Sequence, residues 1–208
     1  MNDGIAVAVA VGLTATPLWQ SIGTHVVTVV HEGGHALVSG LSSGTVRSIR
    51  VNHDGTGSTT ATNGLRNGVA QAMAGYLTPP AVGLGALAVA HAERGGAALT
   101  VLLFGLVLVL LSVRNIFGLG VVLLLSAGLY RAVHHTDGPT QEAVLMVIGW
   151  TLLLGSVRDT VSGLVPGLSD AQELSRMTGF PALLWTTFFA LAACAAVYCA
   201  AWLTATGW

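Results

Sequence analysis

The chain has 208 residues, of which 53% are hydrophobic and only 8% charged, and its formal net charge is −1. Charge at about a third of the level usual in soluble domains is the composition of a protein that lives in a bilayer, and the length is that of a single domain, 1–208. There is no lysine: eight arginines carry all the fixed positive charge, which excludes the basic surface of a nucleic-acid binder.

In chain order, the first apolar stretch covers 4–18. It follows Asp3, where a secretory signal needs positive charge, and offers no cleavage site before Pro17, so it is expected to stay in the membrane. Further apolar stretches cover 20–41, 67–91, 97–113, 115–131, 141–158 and 181–204. About 20 helical residues cross the hydrocarbon, so 20–41, 67–91 and 181–204 are comfortable spans. Arg114 and Asn115 divide 97–131 into two short helices of a hairpin, because one helix of that length would overshoot a bilayer. The expectation is an all-α polytopic membrane protein of six to seven transmembrane helices, with seven preferred. With the N-terminus in the cytoplasm, Arg47, Arg50, Arg66, Arg114, Arg158 and Arg176 fall inside and only Arg94 and Arg131 outside, as the positive-inside rule asks.

One stretch departs from helical character. Residues 43–63, SGTVRSIRVNHDGTGSTTATN, mix β-branched residues with Asn, Asp, Gly and Ser around Asp54-Gly55, which predicts a β-hairpin turning there, on the cytoplasmic side of the preceding span. The longest other polar stretch is 159–180. Cys194 and Cys199 lie in the last apolar run without a CxxC and read as core thiols, neither disulfide nor metal ligands.

The chemistry is concentrated in HEGGH, residues 31–35, inside the span 20–41. His31 and His35 are four apart, so their imidazoles share a helix face and can hold one ion. Glu32 is rotated by about 100°, placed to act as base toward a zinc-activated water. Three ionisable side chains within five residues of a membrane helix are each costly in hydrocarbon and mark a functional site. Catalytic zinc takes three protein ligands and keeps a fourth position open, so a third ligand must come from a distant segment. In the arginine-derived topology Asp159, at the cytoplasmic end of 141–158, matches the depth of the histidines and is the expected ligand. Asp3 and Asp137 are placed wrongly, Asp54 belongs to the hairpin turn, and Asp170, in LSDAQEL, reads as a helix cap and is the second choice. His25 is expected to pack beside the site; His91, His134 and His135 lie at the wrong depth, and His53 reaches the site only if the hairpin folds back.

HEGGHAL in a membrane helix, VRSIRV in the β-rich segment, AGYLTPPAVG in the next helix, then SVRDT and SDAQELSRMTGFPALLW resemble the site-2 protease family of intramembrane zinc metalloproteases. The likeness runs from about residue 20 to 190 and is nearest to its small bacterial B-type, peptidase-like subgroup. It implies zinc held by His31 and His35, Glu32 as catalytic base, a bacterial membrane, and transmembrane protein or peptide substrates cut within the bilayer. The family's aspartate in L-D-G or N-P-D-G has no counterpart string here, no PDZ-like insertion is present, and the prolines of the second motif stand at Pro79 and Pro80. Gly33-Gly34, Gly75 and a helix break at Pro79-Pro80 are expected to open a wet cavity, along which the hairpin binds an unwound substrate as an added strand. Two other classes fit the composition: a catalytically silent membrane scaffold, and a metal transporter using histidine and aspartate along a path. Glu32 separates them, since only the protease requires it.

Overall fold

The computed structural model of the chain describes residues 3–16, 22–62, 65–162 and 170–206. The elements are α1 (Asp3–Ala15), α2 (Thr24–Leu41), β1 (Thr45–Val51), β2 (Gly57–Thr62), α3 (Leu65–His91), α4 (Gly95–Ser112), α5 (Ile116–His135), α6 (Gly138–Ser162), α7 (Asp170–Thr178) and α8 (Ala182–Thr206). The protein is mostly helical, with one two-stranded antiparallel sheet. Among the described residues, five helices are long and apolar enough to cross a membrane: α3, α4, α5, α6 and α8. α1, with 13 residues, reaches about 20 Å, short of the hydrocarbon thickness of ~30 Å. α2 has 18 residues, and its histidines and glutamate lower its apolarity. Of the seven expected spans, five therefore meet the length and composition of a crossing helix.

The described residues pack in four apolar clusters, the smallest of which joins Val27 of α2 to Leu152 of α6. Ala6 and Ala10 of α1, Leu87 of α3, Leu99 of α4, Leu145, Trp150 and Leu153 of α6 and Ala200 of α8 form the largest. A second joins Val29 of α2, Ile49 and Val51 of β1, Val109 and Val113 at the end of α4, and Val122 of α5. The third seats Ala171 and Leu174 of α7 against Ala72 of α3 and Phe189 of α8. The outer faces of α4, α5 and α8 leave Phe104, Leu111, Ile116, Leu124 and Leu191 exposed, as helices solvated by lipid would. Cys194 and Cys199 are exposed too, which corrects their reading as core thiols. In a helix whose solvent is hydrocarbon, a small apolar thiol has no reason to turn inward.

The hairpin does not project away from the bundle. Its turn closes through Asn52 N–H donating to the Thr56 carbonyl (2.8 Å), with Gly55 at φ +84°, a backbone region open to glycine. From there it runs back along α2: Thr28 Oγ1 donates to the Gly55 carbonyl (2.6 Å), near the N-terminal end of that helix. The outer edge of β1 is closed by the α4–α5 turn. Ile49 forms a parallel bridge with Val113, Arg114 N–H donates to the Ile49 carbonyl (3.0 Å), and the Asn115 side chain bonds both the N–H and the carbonyl of Val51 (3.2 and 2.6 Å). Strand backbone survives at membrane depth only when paired or beside water. Here β1 is paired on both edges, while β2 faces a cavity.

Two further expectations change. α3 continues through Pro79 and Pro80 with no break, both prolines being buried in the bundle. A proline has no N–H, so the carbonyls of Gly75 and Tyr76, four residues earlier, lose their regular helical donors without the helix ending. The polar stretch 159–180 divides into the last turn of α6, residues 163–169, which lie outside the described set, and α7.

Candidate metal centre

His31 and His35 stand one turn apart on α2 with ring centroids 4.8 Å apart. Gly75 of α3 makes room for both: a Cβ there would lie 2.5 Å from each Nε2. His35 Nδ1 is 2.7 Å from the carbonyl of Gln71, one turn earlier on α3. A carbonyl can only accept, so the Nδ1–H donates to Gln71 and Nε2 is the nitrogen turned into the site. Tyr76 packs edge-on against His31 (4.9 Å) and stacks on Phe189 (4.8 Å, 19°), which bounds the histidine pair on the α8 side.

The third group is Asp170. Its Oδ2 lies 3.0 Å from His31 Nε2 and 3.2 Å from His35 Nε2, and one ligand atom from each of the three residues falls within 4.8 Å of the others. Asp170 is the first residue of α7, a short amphipathic helix with Ala171 and Leu174 turned inward and Glu173 and Arg176 outward. Burial raises the Asp170 carboxyl, but hydrogen bonds from the His31 and His35 side chains outweigh it and hold the group well below the usual carboxylate range. It is therefore an anion facing two imidazoles.

Asp159, the expected third ligand, is not in this cluster. α6 runs three residues beyond it, so it sits in the last turn of a helix and lines the same cavity from another wall. The geometric partner of the histidines is the residue that sequence reasoning ranked second. SDAQEL marks a polar helix start, but nothing in its spacing ties that aspartate to the histidines.

Glu32 is 4% exposed, and it lines the cavity with His31 and His35. The cavity measures about 850 Å³ and is walled by α2, β2, α3, α6 and α7, with the β2 residues from Gly57 to Ala61 along one side. Of the other histidines, His25 is buried on Phe117 (ring centroids 5.3 Å), and His53 lies in the hairpin turn, exposed, facing the same ring at 6.5 Å. His91 bonds the Leu87 carbonyl at the far end of α3, and His134 and His135 end α5.

Two imidazoles and one carboxylate, converging with both Nε2 atoms turned inward and a polar cavity alongside, match the donor set that a catalytic zinc site takes. The sequence model of the family described as Peptidase M50B-like matches residues 4–200, while no curated protein and no solved structure matches the chain. Since that match takes in every element that builds the site, from α2 to α8, the chain belongs to the M50B-like peptidases, within the site-2 protease family that its HEGGH helix resembles.

Proposed function

We propose that this protein is an intramembrane zinc endopeptidase that hydrolyses peptide bonds of transmembrane protein or peptide substrates. The observation that carries the reading is the convergence of His31, His35 and Asp170 within 4.8 Å beside a polar cavity that also holds Glu32. His31, His35 and Asp170 would hold the metal. Zinc bound there supplies a Lewis acid that brings the ionisation of water near neutral pH. The chain's own groups do the rest. Glu32 takes the proton from the attacking water and delivers it to the leaving amine, so one carboxylate serves as base and then as acid. The cavity admits water to membrane depth, and the open edge of β2 offers main-chain groups to an unwound substrate segment, whose carbonyls a helix would otherwise hide. Asp159 supplies a further charge in the wall and is not a ligand.

Transport is disfavoured by the packing. A permeation path needs liganding groups from one side of the bilayer to the other, whereas α1, α3, α4 and α6 meet in the apolar cluster around Leu87, Leu99, Leu145 and Leu153. A silent scaffold would have no use for Glu32. In detergent, Glu32→Gln is expected to keep its zinc and to lose cleavage of a single-span peptide by about 10²–10⁴-fold, the usual worth of a positioned base. Cleavage unchanged in Glu32→Gln would end the protease reading.

A further inference from the structure

The stripe Thr24, Thr28 and Glu32 on α2 repeats every four residues, about 6 Å along a helix. Gly55, Gly57 and Thr59 on the hairpin repeat every two, about 6.6 Å along a strand. The two spacings are nearly commensurate, and the chain uses the match. Thr24 packs on Gly55, and Thr28 donates to the Gly55 carbonyl. A Cβ on Gly57 would lie 2.7 Å from both Thr28 Cγ2 and Glu32 Cγ, so β2 runs directly over the glutamate. At the third step Thr59 Oγ1 lies 2.6 Å from Glu32 Oε2, with the Glu32 carbonyl also in reach at 3.2 Å.

We propose that Thr59 is the positioning residue of Glu32, through which strand β2 links occupation of the cavity to proton transfer. This rests on the protease reading above. A hydroxyl has one proton to give; donated to Oε2, it fixes the carboxylate rotamer and leaves Oε1 as the oxygen that takes and returns a proton. The same strand presents its other edge to the cavity, so a peptide pairing there fixes the position of Thr59 and with it the base. A 1 Å displacement of a reacting group can cost about 10²-fold in rate, so the hydroxyl acts on turnover more than on binding.

The test uses the full-length protein in detergent, with a fluorescence-quenched single-span peptide as probe, and compares wild type, Glu32→Gln, Thr59→Val, Thr59→Ala and Thr59→Ser. Valine keeps volume and strand propensity but cannot donate. Thr59→Val is expected to retain zinc and a KM within about twofold while kcat falls about 10²-fold, and Thr59→Ser to restore kcat to within about threefold. A kcat for Thr59→Val equal to wild type overturns the proposal, as does a loss that appears in KM alone. If the valine variant fails to fold, equal kcat in the alanine and serine variants overturns it instead. Wild type no faster than Glu32→Gln defeats the protease reading and this inference with it, an outcome distinct from a wild type that outpaces Glu32→Gln but is matched by Thr59→Val.

Discussion

At the scale of single residues, the site depends on an absent side chain as much as on those present. Gly75 lies against the imidazole edges that face Asp170, and a methyl there would sit 2.5 Å from both Nε2 atoms. Gly75→Ala is expected to leave the helical content of the bundle unchanged while zinc content falls steeply, read by circular dichroism and metal analysis of the same preparation. Full zinc occupancy in that variant would mean that the histidines bind through other atoms. The HEGGH pair and its glutamate were legible because four-residue spacing alone fixes a shared face. The third group of the cluster was not, because no spacing links Asp170 to His31 across 139 positions. Depth singles out Asp159 only if α6 ends with its apolar run, but the helix continues through Arg158 and Asp159 to Ser162. Thr59 was invisible for another reason: in sequence it is one of several hydroxyl residues in a polar strand, and only the docking register on α2 singles it out.

At the scale of elements, the hairpin was legible from its Asp-Gly turn and β-branched residues, and its location was not. Alternating strand residues say that one face is buried but not against what. Ile49 and Val51 are fully buried among Val29, Val109 and Val122, so β1 is a structural strand of the bundle, and its backbone at that depth needs partners. Asn115 provides two of them, at Val51 N–H and Val51 O. Asn115→Ala leaves both groups of a buried residue unpaired and is expected to destabilise by about 2 kcal/mol or more. A lowered melting temperature in detergent measures this; an unchanged one would show that the α4–α5 turn does not hold β1. The continuity of α3 through Pro79 and Pro80 is the converse case, where a residue pair that reads as a break is tolerated because neighbouring helices enclose it.

For the whole molecule, the helix order was written in the hydropathy, and the element boundaries of α3, α4, α5 and α8 lie close to those read from apolar runs. Which side faces the cytoplasm rests on the arginines alone. With the N-terminus inside, the α3–α4 turn at Glu93 faces outward and β1 opens inward; a cysteine at Glu93, in a background with Cys194 and Cys199 replaced, is expected to react in intact cells with a membrane-impermeant maleimide. Labelling only after lysis would reverse the topology. The central claim concerns a single shared site built by α2 and α7, and metal stoichiometry tests it most directly. Detergent-purified wild-type protein is expected to carry about one zinc per chain, as three ligands and an open position require. His31→Ala, His35→Ala and Asp170→Ala should each fall to background, while Asp159→Ala keeps its metal. Zinc retained in Asp170→Ala and lost in Asp159→Ala, or unaffected by removing both histidines, would contradict the account.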